Sequence, residues 1–156
     1  MIVEQRVTVA APAANVWDVV IDVPAVSRCV PGVESVERID DDTYNGTMKV
    51  KVGPISLTLQ GRITVVERDR EHWQARMELK AADRRISGSV GAKMTMRLEP
   101  RGDQTDLAIH TDASIMGKLG EFGQAVMRKK ADQIIAEFAR NLSAQMQAAP
   151  SSRPGS

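Results

Sequence analysis

The chain has 156 residues, 42% of them hydrophobic, 26% charged and 3% aromatic, with a formal net charge of +1 and a single cysteine. This is enough for one domain around one core, and it excludes an internal disulfide and the concentrated basic charge that nucleic acid demands. A lone cysteine and the lack of a leader-like opening fit a reducing cytoplasm, and no apolar run approaches the roughly 20 residues needed to cross a bilayer.

"IVEQRVTVA" alternates and reads as a first strand. "AAPAANVWDVVIDV" follows as a short helix, with Pro12 in its first turn and an apolar face of Val16, Trp17, Val19 and Val20. A second helical piece, "PAVSRCV", is stopped by Pro31 and Gly32. From Val33 to Ile115 the period changes to two and predicts six strands. Val33 to Ile39 forms the first. Tyr44, Gly46, Met48, Val50 and Val52 share one face of the next, and Ile55, Leu57, Leu59, Gly61, Ile63 and Val65 continue it after Gly53 and Pro54. Trp73, Ala75, Met77, Leu79 and Ala81 repeat the pattern, as do Ile86 to Leu98 and Leu107 to Ile115. Short turns with one dry face indicate an antiparallel meander.

That face needs a cover. The segment from Lys118 to Met146 reads as one long amphipathic helix whose apolar stripe drifts, from Leu119, Phe122 and Val126 to Ile134, Phe138 and Leu142. Residues 1–146 therefore form a single domain, and "QAAPSSRPGS", 147–156, is expected to be disordered. The order strand, two short helices, six strands, long helix is that of an α+β helix-grip fold, a curved seven-stranded antiparallel sheet wrapped around the last helix.

The corner "CVPGVESVE", the pair "YNGTMKVKVGPI" and "GRITV", and "GKLGEFGQAVMRKKADQIIAEFARNL" resemble the carbon monoxide dehydrogenase G-subunit (CoxG) family, of the START-like or SRPBCC superfamily with its START/Bet v 1-like fold. The resemblance implies an accessory protein of a carbon monoxide dehydrogenase-like molybdenum hydroxylase, acting in electron transfer or maturation, with no intrinsic cofactor. It implies an internal cavity for a hydrophobic small molecule, and a quinone is the ligand associated with some members. It also implies a cytoplasmic location, with peripheral contact at the inner face of the membrane. Longer members carry a carboxy-terminal extension for that contact, and "AAPSSRPGS" has neither the apolar length nor the basic clustering to serve.

Small inward residues (Gly46, Gly61, Ala75, Ala81, Gly88, Ala92 and Ala113) either leave space or mark close approach of the helix. Composition leaves both readings open, and the resemblance favours the cavity. An empty void costs about 24 cal/mol per Å3, so one of ligand size, roughly 300 Å3, persists best as a binding site. The candidate ligand-binding residues are Cys29, Val30, Met48, Val50, Leu57, Leu59, Met77, Leu79, Met94, Leu119, Phe122 and Val126. Methionine suits such a wall, being flexible and polarisable. The mouth is expected between the short helices, the Cys29–Gly32 corner and the start of the long helix near Leu119 and Phe122.

Catalytic signals are sparse. Tyr44 and Thr111 are the polar groups on the inward faces, His110 points outward, and His72 stands at a strand start. No histidine or cysteine pair has metal-ligand spacing, and "GKLGEFG" lacks a phosphate-loop motif. A non-catalytic binder is expected; the alternative is a polyketide cyclase or dehydratase-like enzyme using Tyr44. Cys29 reads as a small buried hydrophobe, and Lys118, Arg128, Lys129 and Lys130 as a basic sector, solvated or facing an acidic partner or a lipid headgroup.

Overall fold

The computed structural model describes residues 1–148. The chain runs β1 (Ile2–Val9), α1 (Ala13–Val20), α2 (Val23–Ser27), β2 (Val33–Arg38), β3 (Thr43–Val52), β4 (Ile55–Asp69), β5 (Gln74–Asp83), β6 (Gly88–Arg101), β7 (Gln104–Gly117) and α3 (Gln124–Ala148). The seven strands form one antiparallel sheet in the order β1-β7-β6-β5-β4-β3-β2. Strands β2 to β7 are a plain meander, and only β1 crosses over, to pair with β7. The expected fold class is the observed one.

Local chemistry explains the short elements. Asp22 caps α2 by accepting from the Ala25 amide, with Pro24 in the first turn. At the corner after α2, Gly32 has φ +88°, and a side chain there would collide with the Lys49 carbonyl. Only glycine lets the Gly32 carbonyl accept the Lys49 amide at 2.8 Å and deliver the chain into β2.

The one long helix expected from Lys118 is instead two elements. Residues Lys118–Phe122 make a 3-10 turn, and α3 starts at Gln124. Gly117 (φ +68°) and Gly123 (φ +86°) bracket the turn in left-handed conformation, which an α-helix cannot contain. The drifting stripe is explained: Leu119 and Phe122 belong to one packing group, Phe138 and Leu142 to another. At its far end α3 reaches Ala148, two residues past the expected stop. The expectation of a disordered tail otherwise falls on residues 149–156, outside the described residues.

Helix α3 lies along β1 and runs parallel to it. Arg128 Nη1 donates to the Ile2 carbonyl (2.6 Å), Gln5 Nε2 to Asp132 Oδ1 (3.1 Å), and the Ala10 amide to Ser143 Oγ (3.1 Å).

Candidate functional site

Among the described residues, most buried apolar side chains fall into three separate groups. At the end covered by α1, Val9, Val16, Trp17, Val20, Ala75, Met96, Leu98, Leu107 and Ile109 pack with Phe138, Leu142 and Met146 of α3. Trp17 meets Trp73 edge to face, 5.9 Å between ring centres. Beside it, Val23 of α2 covers Tyr44 and Val65. At the opposite end, Val52 and Leu57 of the β3–β4 hairpin close over Leu119 of the 3-10 turn.

Between these ends the inner face of the sheet is apolar yet only half-buried. Ile63, Leu79 and Ala92 stand opposite one another across β4, β5 and β6, and Met77, Met94 and Thr111 across β5, β6 and β7. Met48 of β3 stands opposite Leu59 of β4, both half-buried as well. Met127, Ala131 and Ile134 of α3 are also half-buried and share a helix face with buried Phe138. An apolar middle layer that is only half-buried between two packed ends is the candidate ligand site, and Thr111 is its hydroxyl-bearing member.

The predicted residues divide by position. Met48, Met77 and Leu79 lie in this middle layer and belong to none of the packed groups. Val50, Leu59 and Phe122 border the Leu119 group, and Val30 and Met94 border the α1-end group. Leu57 and Leu119 are fully buried and serve as the far seal. Val126 is 45% exposed on α3. Ile63, Ala92, Thr111, Met127, Ala131 and Ile134 were missing from the expected set. Their alternation and helical spacing were visible in the sequence; what sets them apart is partial exposure, which only the fold reveals.

The expected mouth is not assembled. Cys29 is buried in the α1-end group, where its Sγ donates to Gln145 Oε1 (3.2 Å) and its carbonyl accepts from Asn141 Nδ2 (3.0 Å). Both partners lie on the last turns of α3, whereas Leu119 and Phe122 pack at the other end of the sheet. The corner is a tie to the helix. Burial pushes the Cys29 thiol pKa up, partly offset by Arg28, which makes it a poor nucleophile.

Three of the small inward residues mark close approach. Gly46 and Gly61 pair across β3 and β4, and a Cβ on Gly61 would sit 2.5 Å from the Lys80 carbonyl and 2.8 Å from Ala81 Cβ. A Cβ on Gly88 would sit 2.5 Å from Leu119 Cγ. The glycines shape the sheet and seat the 3-10 turn; they do not create the space. That space is bounded by larger residues, with Ala92 and Ala131 the small ones among them.

Two surface concavities lie on the outer face of the sheet. One, of about 470 Å3, is lined by Asn45, Thr47, Gln60, Arg62 and Lys80 among others; the second, of about 400 Å3, by Glu4, Arg6, Arg97, Glu99 and His110 among others. Both are open; the first is mainly polar and the second mixed, with Ala108 and Ile109 in its lining. Within the fold, Tyr44 is 7% exposed and packs against Val23 and Val65. Among the described residues no group of three or more His, Cys, Asp or Glu could hold a metal ion, and no helix is long and apolar enough to cross a membrane.

A curved antiparallel sheet gripping a carboxy-terminal helix, with a half-buried apolar layer on its inner face, is the START-like helix-grip fold. Within that class the chain belongs to the carbon monoxide dehydrogenase G-subunit (CoxG) family, whose family model matches residues 6–147. A conserved protein from Geobacillus kaustophilus is similar in structure with a TM-score of 0.87 at 19% identity, covering 96% of this chain and 97% of its own. A START superfamily protein from Mycobacterium smegmatis gives 0.69 at 15% identity, with 95% and 98% covered. The ZhuI aromatase/cyclase from Streptomyces sp. R1128 gives 0.68 at 18% identity, with 100% and 99% covered. None of the curated proteins compared with the chain matches it in sequence.

Proposed function

We propose that this protein is a non-catalytic carrier of a hydrophobic small molecule, held in the middle layer between α3 and the sheet. The observation that carries the reading is the contrast along the inner face. Leu57, Leu98 and Leu107 toward its ends are fully buried, while Met48, Met77, Leu79 and Met94 between them keep half-buried apolar surface. A protein interior normally closes over such surface, and a pocket that persists is apolar with few polar groups. Thr111 alone offers the layer a hydroxyl, which suits a ligand with a carbonyl or phenol on an otherwise apolar body.

A quinone fits that description. We extend the reading, on the family resemblance alone, to an accessory protein of a carbon monoxide dehydrogenase-like molybdenum hydroxylase, in electron transfer or maturation, in the cytoplasm with peripheral contact at the membrane. Organic extraction of the purified protein followed by mass spectrometry tests the reading. A stoichiometric apolar compound is expected; a protein that is empty and takes up no added quinone is not a carrier.

The fold it shares with an aromatase/cyclase favours one further reading, an enzyme acting on a polyketide-like substrate. Tyr44 is its candidate residue, as a hydrogen-bond donor to a substrate carbonyl, and the side chain is packed beneath α2 rather than set in the middle layer. A Tyr44→Phe protein that loses turnover of such a substrate while keeping its fold would support the enzyme; unchanged function removes its one candidate.

A further inference from the structure

We propose that the 3-10 turn Lys118–Phe122 is a gate to the middle layer, latched by the insertion of Leu119 against Gly88. This inference rests on the carrier reading and adds its route of access. The turn closes the end of the sheet away from α1. Leu119 is fully buried against Val52 and Leu57, with Ile86, Val90 and Ile115 around them. Its neighbours Lys118, Gly120, Glu121 and Gly123 are all exposed. Phe122 packs half-buried at the edge of the same group, and Leu119 is the one fully buried side chain of the turn.

The seat and the hinges are glycines. Gly88 stands opposite Gly117 in the β6–β7 register, and its missing side chain leaves room for Leu119 Cγ, which a Cβ would approach to 2.5 Å. Gly117 has φ +68° and packs so tightly on the Ser87 carbonyl that no side chain fits there. Gly123 has φ +86° with open space around it. Backbone rotation at those two residues, the last of β7 and the one preceding α3, swings the turn. Besides the packing of Leu119 and Phe122, the turn is tied to the residue before β6 by the Lys118 amide donating to the Ser87 carbonyl at 3.3 Å, a long bond. Withdrawing Leu119 uncovers Val52 and Leu57, next to Val50 and Leu59 at the border of the middle layer.

Stopped-flow uptake of a single-isoprene ubiquinone, read by quenching of Trp17 and Trp73, tests the gate in three proteins. Ser87→Cys with Lys118→Cys joins adjacent backbone positions, and its oxidised form should take up quinone at least tenfold more slowly than wild type, with recovery on reduction. Gly88→Ala pushes Leu119 from its seat and should accelerate uptake, with faster amide hydrogen exchange confined to residues 118–122. Leu119→Ala, which removes the latch without crowding, should do the same. Equal rates in oxidised, reduced and wild-type protein overturn the gate while leaving the carrier intact. Absence of uptake by wild type at equilibrium overturns the carrier reading, and the gate with it.

Discussion

Asp83 shows how one side chain fixes the geometry at the gated end. Its carboxylate is buried and accepts the Thr58 amide at 2.8 Å and the Arg85 amide at 2.9 Å, with the Arg85 guanidinium at 3.3 Å. The Thr58 amide above all, with Arg85, outweighs the cost of burial and holds its pKa below the usual carboxylate value. A lowered folded-state pKa contributes stability that is fully present above the unfolded value, near about 3.9, and is lost as pH falls through the folded one. Urea midpoints of wild type and Asp83→Asn should differ most near neutrality and converge below about pH 4; a difference constant with pH contradicts this role. Cys29 yields a second expectation at this scale. With its thiol buried and its pKa raised, a disulfide reagent should label it in native protein no faster than the surrounding structure opens. Rapid labelling at pH 8 would show that the corner is not tied to Gln145.

Elements were legible in the sequence to unequal degree. Period-two alternation marked all six later strands because each has one wet face, and Pro12, Pro24, Pro31 and Gly32 punctuated the short helices. The break before α3 was missed because the apolar spacing continues through it. Leu119, Phe122 and Val126 sit at helical intervals although the backbone at Gly117 and Gly123 is left-handed. Glycine permits that conformation without demanding it, so spacing outweighed it in the reading. The small strand residues were ambiguous for the same reason, and the register settles Gly61 as a close approach. Gly61→Ala should therefore lose stability, by about 1–3 kcal/mol as for other overpacked sites, measured by urea denaturation; an unchanged midpoint would mean that the sheet bends freely there.

At the scale of the whole molecule, the fold divides labour between ends and middle. The α1 end and the hairpin end are sealed by fully buried side chains, and the half-buried methionines lie between them. Of the expected site, the inward faces were legible and depth along the barrel was not. Alternation says which way Met77 and Leu57 point; only topology says that one lies midway and the other in a seal. Sequence also misplaced the mouth, because chain neighbours at the corner are tied to the last turns of α3, a contact more than a hundred residues away in the chain.

The central claim is that the middle layer holds an apolar molecule, and filling it is the direct test. Met77 faces Met94 across β5 and β6 with Val65 on its other side, so Met77→Trp projects a large ring into the layer while leaving both seals alone. Equilibrium titration with a single-isoprene ubiquinone should show saturable one-to-one binding by wild type and at least about tenfold weaker binding by Met77→Trp, at a little-changed thermal midpoint. Binding of equal strength by both proteins, or none by wild type, would contradict it.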